Sequence, residues 1–576
     1  MVTTSHWIAT AAAMGAMEKG GNAFDAAVTA GFVLQVVQPH MCGPAGEAPM
    51  IFSYRGQTPV RVLAGQGPAP AAARIETYRD LGFEIAPGTG LMAATVPAAF
   101  DSWMCLLRDY GSLSLAEILA PAIAYAQDGH PVRPAVAEMI GSVRDVFLTE
   151  WQSSVDVYLV NGDAPKPHSL YRLTHMADTY KRILREAEAA GGNRERQIER
   201  ARKTWREGFI AEAIDTFCRD ARLLDSSGER HGGLLTGEDI AAWEASYEYP
   251  VTYDYHGITL AKCGPWSQGP VMAQQLALLK GFDLAAMDPA GPDFVHTVIE
   301  CAKLAFADRE KFYGDPNFVE VPLEVLLSDD YNEARRALVG EDASLELRPG
   351  EVPGYGAKVM LEGTAGGGVI GAGEPGAVLE GQVQSDTVHI DCADRFGNMV
   401  SATPSGGWLQ SSPAIPGLGF PLGSRAQMFW LDEDHPSGLA PGKRPRTTLS
   451  PSFALKDGVP WLAFGTPGGD AQDQWPLYVL LRHLHFGLNL QEAIDLPIFE
   501  TFHFPNSFWP RDSVPGHLGL EGHFRPQTVK ALRERGHRIE LGEPWSMGRM
   551  MAVAKEGPIL KGAASSRYMQ TYAAGR

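Results

Sequence analysis

The spacing of apolar and polar positions divides the chain into two unlike parts. In the first third, apolar residues recur at intervals of three and four, which is the period of an α-helix. The segment GGNAFDAAVTAGFVLQVVQP begins at a candidate cap, Asn22, and ends before Pro39. The segment SLAEILAPAIAYAQDG opens with a capping box formed by Ser114 and Glu117. The pattern therefore predicts well-delimited amphipathic helices in this part of the chain.

The helical pattern continues through the middle of the chain and then ends. Residues 140–235 mix charges of both signs, which is typical of solvent-exposed helices. PVMAQQLALLKGFDL and DFVHTVIECAKLAFADREKFYGD predict two further amphipathic helices. From about 340 to 386 the sequence has no periodicity and includes GTAGGGVIGAGEPGAVLEG, so it predicts a flexible, glycine-rich linker.

After the linker the period changes to two. TVHIDCA, MVSAT, SFALKDGVPWLAF and MMAVAKEGPILKG predict short strands, the last two segments being hairpins that turn at KDG and KEG. In TVHIDCA, Thr387, His389 and Asp391 fall on one face of the strand, while the apolar residues fall on the other. The pattern alone thus predicts a mixed α and β protein with its strands concentrated late and Thr387 on a polar face.

Composition narrows the range of partners. The 576 residues are 45% hydrophobic and carry a formal net charge of −19, which argues against nucleic acid and against an anionic membrane surface. The six cysteines include no C-x-x-C, so neither a zinc ribbon nor a disulfide framework is indicated. The first 21 residues lack a basic n-region and no apolar run has the length of a membrane span. We expect a cytoplasmic protein; a periplasmic protein whose signal has been removed is the alternative.

Thr387 has two interpretations when only its surroundings are considered. It can be an ordinary first residue of a strand. It can also be a nucleophile, because a threonine hydroxyl is activated by its own free α-amino group, which titrates near pH 8. That role requires cleavage of the Asp386–Thr387 bond, and a flexible segment just upstream would let the new chain end move away. The residues alone leave both interpretations open.

Seven separated segments resemble, in order, the γ-glutamyltranspeptidase family of self-cleaving N-terminal-nucleophile enzymes. They are GGNAFDAAVTAGFVLQVVQPH, VPAAFDSWMCLLRDYGSLSLAEILAPAIAYAQDGHPV, GGLLTGEDIAAWEASYEYPV, KLAFADREKFYGDPNFVEVPLEVLLS, DTVHIDCADRFGNMVSAT, KRPRTTLSPSFALKDGVP and GTPGGD. The resemblance implies an α+β fold, the four-layer αββα sandwich of N-terminal-nucleophile hydrolases. It also implies a large subunit, 1–386, and a small subunit, 387–576, which share one core and need no cofactor or metal.

The resemblance implies the catalytic residues as well. Thr387 matches the threonine that cuts the precursor after Asp386 and then attacks the substrate. Ser405 matches a second hydroxyl that hydrogen-bonds the nucleophile. Gly468 and Gly469 match the pair whose backbone N–H groups would hold the oxyanion.

The substrate-binding positions depart from the family pattern. Thr447 and Thr448 stand where the family has a pair of serines, so the hydroxyls are kept. Gln66 stands in place of the arginine that binds the substrate α-carboxylate, and Gln427 stands at about the position of the acidic residue that receives the α-amino group. Losing both charged anchors predicts weak binding of γ-glutamyl groups.

Other residues near the expected pocket also differ from the family. Gly407 replaces a usual asparagine, which removes one substrate contact. Arg446, and with a weaker case Arg425, could bind a substrate carboxylate from another side; otherwise each is a surface arginine.

The sequence therefore predicts an autoprocessed threonine amidohydrolase, with acyl transfer to an acceptor amine as a further activity. Its small-molecule substrate would be a γ-glutamyl compound or, in view of the lost anchors, a related carboxylated amide. A cephalosporin-acylase-like or a small-dicarboxylate-monoamide amidohydrolase is the alternative within this class. An unprocessed, non-catalytic binding relative is the alternative from another class. The two chains of one precursor are the expected protein partners, and a homo-oligomer is left open.

Two further site types are disfavoured by the sequence. A serine hydrolase would need a G-x-S-x-G elbow, and GPWSQGP around Ser267 is the nearest segment without having its spacing. His483 and His485 are two positions apart on a predicted helix, so their side chains face apart and do not suggest a metal site.

Overall fold

The computed structural model describes residues 1–356 and 387–576, and all of the following helices and strands lie in these two ranges. The helices, α1 to α18 in chain order, are Trp7–Glu18, Ala23–Val37, Ile75–Asp80, Ala99–Tyr110, Leu115–Asp128, Pro134–Thr149, Gln152–Tyr158, Thr174–Ala189, Arg194–Glu207, Phe209–Asp220, Gly237–Ala242, Pro270–Leu279, Pro292–Phe312, Leu323–Leu326, Asp329–Arg336, Trp475–Phe486, Leu490–Asp495 and Pro526–Glu534. The strands, β1 to β20 in chain order, are Val2–Thr4, Met50–Ser53, Arg61–Ala64, His130–Pro131, Leu170–Tyr171, Leu223–Leu224, Arg230–His231, Ser246–Glu248, Val251–Tyr255, Ile258–Lys262, Ile390–Ala393, Met399–Ala402, Ser452–Lys456, Val459–Gly465, Phe499–Glu500, His517–Leu520, Arg538–Leu541, Met551–Glu556, Ile559–Ala564 and Tyr572–Ala574.

Two antiparallel sheets form the centre of the fold. The first has seven strands in the order β20-β1-β11-β12-β2-β3-β8, and the second has six in the order β19-β18-β14-β13-β10-β9. Helix α2 packs on β11 and β12 of the first sheet, and α12 packs on β9 and β10 of the second. Between the sheets lies an apolar cluster whose buried members include Ile51, Val62, Ala261, Met399, Phe453 and Val553. The predicted α+β class and the four-layer αββα sandwich are confirmed.

Both sheets take strands from either side of Thr387. The first sheet combines β1, β2, β3 and β8 with β11, β12 and β20, and the second combines β9 and β10 with four later strands. The prediction that strands concentrate late is confirmed for the described ranges, because 45 of the 190 residues after 386 lie in strands, against 32 of the 356 residues before 357. The earlier range nevertheless contributes ten strands. The early strands are two to five residues long, too short for an alternating pattern to stand out.

Local signals in the sequence agree closely with the structure. Helix α2 begins with a capping box between Asn22 and Asp25, and α5 begins with the predicted box between Ser114 and Glu117. The two predicted late hairpins are β13–β14 and β18–β19. Of the predicted linker, residues 340–356 form no long helix or strand; its remaining residues, among them Asp386, lie outside the described residues. No helix in the described ranges combines the length and the apolarity that crossing a bilayer requires.

Candidate active site

Three polar residues lie side by side at one end of the seven-stranded sheet. Ser405 forms an antiparallel bridge with Thr387 on one side and with Glu47 on the other. The Thr387 Oγ1 and Ser405 Oγ atoms are 3.1 Å apart. Ser405 N–H donates to Glu47 O at 3.0 Å, and Glu47 N–H donates to Ser405 O at 2.8 Å. Because residues directly opposite each other project to the same side of a sheet, all three side chains share one face.

That face points toward the second sheet. The His389 ring shares hydrogen bonds with Thr403 Oγ1 at 2.9 Å and Asp391 Oδ1 at 3.0 Å, and Ser401 Oγ donates to Phe464 O of β14 at 3.2 Å. Thr387, His389 and Asp391 are therefore on one polar face, as the alternation predicts, but this face is buried between the sheets. Only 1% of the Thr387 surface is exposed.

The candidate oxyanion loop follows β14. Gly468 and Gly469 have φ angles of 128° and 53°, and the second begins the 3-10 helix Gly469–Asp473. A Cβ atom on Gly468 would lie 2.6 Å from the Trp475 ring, so both the backbone conformation and the space require glycine at this position. Neither glycine N–H donates a hydrogen bond to any residue that the structure describes. Two adjacent backbone donors thus remain for a ligand oxygen.

A buried network of charges supports this loop. The Asp470 carboxylate forms an ion pair with Arg309 and accepts hydrogen bonds from Ser507 Oγ at 2.6 Å and Ser507 N at 2.9 Å. Arg446 Nη1 donates to Ser507 Oγ at 3.1 Å, and Arg446 Nη2 lies 3.1 Å from Glu310 Oε1. Burial works against the charge of Arg446 and lowers its pKa to about 10. Arg446 therefore lies close to the oxyanion loop, as a substrate-binding residue would, but its charge already faces Glu310.

The pair Thr447 and Thr448 is tied to the same network. Thr447 N–H donates to Trp266 O at 2.9 Å, and Thr447 O accepts from Gln268 N at 2.9 Å. The Gln268 side chain accepts from Arg309 Nη1 at 2.8 Å and donates to Gly469 O at 3.3 Å. Thr448 Oγ1 is buried and has no hydrogen-bond partner in the described part of the chain. This hydroxyl is therefore available to form a hydrogen bond with a substrate.

The two glutamines that replace charged anchors differ in what they can still bind. Gln66 Nε2 donates to Gly67 O at 3.0 Å, and Gln66 Oε1 is buried without a partner among the described residues. The Gln427 side chain is occupied at both ends: Nε2 donates to Gly88 O at 3.3 Å and Ser424 O at 3.0 Å, and Oε1 accepts from Trp509 N at 3.1 Å.

Glu47 is a site residue that the sequence did not reveal. Arg425 Nη2 and Nε donate to Glu47 Oε2 at 2.9 and 3.2 Å, and each of the two residues is only 1% exposed. Burial raises the pKa of Glu47, although Arg425 lowers it. The available signal is a single acidic residue in the small-residue segment GPAGEAPM just before β2. Arg425 is thus neither at the surface nor a free cation, since Glu47 is its partner.

The family model described as Gamma-glutamyltranspeptidase matches residues 9–575. This chain belongs to the γ-glutamyltranspeptidase family. A model that spans nearly the whole chain confirms the family expected from the seven segments.

Curated relatives of this γ-glutamyltranspeptidase-family chain have several names. The Glutathione hydrolase-like YwrD proenzyme of Bacillus subtilis is 29% identical over 98% of this chain and 97% of its own length. The Acylase ACY 1 proenzyme of Pseudomonas sp. strain SE83 is 29% identical over 96% of this chain and 89% of its own length. The Oxamate amidohydrolase proenzyme of Klebsiella pneumoniae is 28% identical over 98% and 97%. The family therefore establishes an enzyme of the hydrolase type but does not determine the substrate.

Two solved structures are similar over the whole chain. LmbA2991, solved in forms that include a threonine-to-alanine variant, is 50% identical with a TM-score of 0.94, covering 100% of this chain and 98% of that chain. Cephalosporin acylase from Bacillus halodurans is 29% identical with a TM-score of 0.82, covering 99% and 94%. Both likenesses extend through the region that contains Thr387.

His483 and His485, which the sequence disfavours as a metal site, each have a partner of their own. His483 Nδ1 bonds Leu488 O at 2.6 Å, and His485 Nε2 bonds Tyr255 Oη at 2.9 Å, so the two rings do not act together.

A different group, His296, Glu300 and His537, has potential metal-ligand atoms within 4.8 Å of one another. Its carboxylate, however, is already paired with Lys303 at 2.6 Å and Arg348 at 3.1 Å.

Proposed function

We propose that this γ-glutamyltranspeptidase-family enzyme is autoprocessed and hydrolyses a small-molecule amide through Thr387. Cleavage of the Asp386–Thr387 bond would make Thr387 an N-terminal residue with a free α-amino group. The observation that carries the proposal is the Thr387 Oγ1–Ser405 Oγ distance of 3.1 Å on the buried inner face of the sheet. The N–H groups of Gly468 and Gly469, which donate to none of the described residues, support it, because acyl transfer needs donors for an oxyanion.

The chemistry follows from these groups. The α-amino group of Thr387 accepts the proton from Oγ1, and Oγ1 attacks the amide carbonyl carbon. Ser405 holds the orientation of Oγ1, and the Gly468 and Gly469 N–H groups stabilise the negative oxygen. The protonated amine then gives its proton to the leaving nitrogen, which departs as an amine and leaves an ester on Oγ1. Water attacks this ester with the α-amino group as base and releases the acid; an acceptor amine in place of water gives transfer.

The proposed substrate is a carboxylated amide other than a γ-glutamyl compound. The two positions at which the resemblance implies the charged anchors of a γ-glutamyl group, 66 and 427, both carry an uncharged glutamine. Arg446 lies close to the oxyanion loop, and a substrate carboxylate there would share it with Glu310. Relatives named as acylases and as an oxamate amidohydrolase support a choice of amides in this family that extends beyond glutathione.

The two products of cleavage should remain together. Strand β11, which follows Thr387, pairs with β1 on one side and β12 on the other, and β12 pairs with β2. Separating chain 1–386 from chain 387–576 would break both sheets. We therefore propose a mature enzyme of one large and one small chain.

Intact-mass measurement and N-terminal sequencing of the small chain test the proposal. We expect a small chain that starts at Thr387, and a Thr387→Ala protein that stays full-length and inactive. A start at another residue would contradict the assignment of the nucleophile. A folded, uncleaved wild type without amidase activity would favour the non-catalytic binding relative.

A further inference from the structure

The row formed by Thr387, Ser405 and Glu47, in which Ser405 bridges the other two, extends to one more strand. β2 pairs with β3, and beyond the last paired residues Ala48 N donates to Gly65 O at 2.9 Å. Gln66 follows Gly65, which places it next to Glu47 at the end of the neighbouring strand. Thr387, Ser405, Glu47 and Gln66 thus occupy the ends of four adjacent strands in one sheet.

Two side chains of this row have acceptor atoms that lack a donor. Glu47 Oε2 accepts from Arg425, and no hydrogen bond from another described residue ends at Glu47 Oε1. Gln66 Nε2 donates to Gly67 O, which fixes the orientation of the amide, and the remaining Oε1 is buried without a donor in the same described ranges. Buried acceptors usually have a partner, either in the protein or in a ligand.

Neighbouring glycines make room for the Glu47 carboxylate. A Cβ atom on Gly406 would lie 2.2 Å from Glu47 Oε2, and one on Gly423 would lie 3.1 Å from Oε1. Arg425, which holds the carboxylate, lies over the Trp408 ring at 4.9 Å. The carboxylate is therefore held in place beside the chain segment that carries Ser405.

We propose that Glu47 and Gln66 bind a protonated amine on the acyl part of the substrate. An ammonium group has three N–H donors and no acceptor, which matches two acceptors that lack donors. A carboxylate at the same place would meet two acceptors and be rejected. The proposal rests on the function proposed above, because it places the amine relative to Thr387 as nucleophile.

The distance to the nucleophile limits the substrate. Glu47 is two strands away from Thr387, about 10 Å between backbones at the usual strand spacing, and its side chain shortens this gap. Acyl chains of two to five carbons that end in an ammonium group cover the possible distances between Thr387 and the Glu47 carboxylate.

Matched pairs of p-nitroanilides provide the test with the mature wild-type enzyme. The aminated donors are glycyl, 3-aminopropionyl, 4-aminobutyryl and 5-aminopentanoyl p-nitroanilide, and each partner has hydrogen in place of the amine. We expect at least one aminated donor to exceed its partner in kcat/KM by about tenfold or more, as charge-assisted hydrogen bonds allow. The variant Glu47→Gln should lower that value about 10- to 100-fold and change the amine-free partner less than about threefold.

A control and a second variant keep the result interpretable. Glu300→Gln breaks another buried ion pair, with Lys303 at 2.6 Å, whose other partners, Ser344 and Arg348, are not part of the row, and it should leave the ratio between paired donors unchanged. Gln66→Met keeps the side-chain length, removes the acceptor and should also lower the ratio; it decides the question if Glu47→Gln does not mature.

The outcomes separate this proposal from the one on which it rests. A protein cleaved at Thr387 that favours no aminated donor overturns the ammonium site and leaves the nucleophile in place. Equal losses on aminated and amine-free donors in Glu47→Gln would assign Glu47 a positioning role and also overturn it. A protein that is not cleaved and hydrolyses none of the donors overturns the proposed function and, with it, this inference.

Discussion

Replacing Gly468 with alanine should impair both folding and catalysis, and the structure gives a size for each effect. Gly468 has φ 128°, a conformation that residues with a Cβ rarely adopt. Forcing it there costs about 1–3 kcal/mol. The new Cβ would also lie 2.6 Å from the Trp475 ring, which is fully buried, and overpacking of this kind costs about 1–3 kcal/mol. We expect Gly468→Ala to lower the free energy of unfolding by about 2–6 kcal/mol in total.

The relief of this contact should also disturb the oxyanion site. If the loop moves to admit the methyl group, the N–H groups of Gly468 and Gly469 change direction, and losing one oxyanion donor lowers kcat by about 10²- to 10³-fold. Self-cleavage should slow as well, since it passes through the same kind of intermediate.

Gly487→Ala is a matched control. Gly487 ends α16 with φ 65°, and no atom lies within 4 Å of the position its Cβ would take. Only the backbone term remains, about 1–2 kcal/mol, and activity should not change. Thermal unfolding and kcat/KM on one amide, measured for both variants and the wild type, make the comparison. If the two variants behave alike in stability and in activity, the reasoning from the Trp475 contact and the oxyanion loop is refuted.

Other parts of the structure lead to four further predictions. Thr387→Ala should remain an inactive, full-length precursor. Thr387→Ser keeps the hydroxyl and should cleave itself, but more slowly, because the methyl group that restricts χ1 is lost. Gel electrophoresis of samples taken over time measures cleavage in both variants. Glutathione should be a poor substrate of the mature enzyme, with kcat/KM below about 10⁴ M⁻¹s⁻¹. Arg446→Ala should reduce kcat/KM about tenfold on the best carboxylated amide. An equal loss on uncharged amides would assign Arg446 to the ion-pair network alone. Burial raises the pKa of Glu500 to about 8, so its contribution to stability is complete below about pH 4.5 and is lost as the pH rises through 8. Glu500→Gln should therefore lose less stability than the wild type between about pH 5 and pH 9, measured by thermal unfolding, and parallel curves would contradict the assignment.

Features that depend on neighbours in the sequence were predictable. The cap at Asn22, the capping box at Ser114 and the turns of the two late hairpins require only residues a few positions away. Such signals act within one turn of chain, so a linear sequence contains all of the information.

Features that depend on distant pairing were not predictable from pattern. Strand β1 has three residues, and Thr3 Oγ1 donates to Asp391 Oδ2 across 388 residues of sequence. A segment so short shows no alternation, and its place in the central sheet is set by its partners. The pattern therefore did not reveal this early strand of the central sheet.

The residues of the candidate site could not be identified from local pattern either. Thr387, Ser405, Gly468 and Gly469 were assigned through the family resemblance, since a threonine before a strand has no distinctive pattern of its own. Their roles stay predictions until the variants are made.

Charges near the site were the hardest to interpret from sequence. Arg425 and Arg446 were considered as surface residues or as free cations for a substrate carboxylate. The structure buries both and gives each a carboxylate neighbour, Glu47 and Glu310. A sequence shows the charged residues but not which of them are paired.

The pairing also bears on Gln66, which stands where the family pattern has an arginine. Position 66 lies next to Glu47, so an arginine there would face a carboxylate and lose its value as an anchor for a substrate carboxylate. With glutamine at 66, the end of the row offers acceptors, while the nearby cation, Arg425, is held by Glu47 Oε2. We therefore expect Gln66 and Glu47 together to favour a substrate group that donates hydrogen bonds over one that accepts them. The chemistry proposed for Thr387 and Ser405 should be unaffected, because the sheet positions both side chains and the proposed substrate-selecting residues do not.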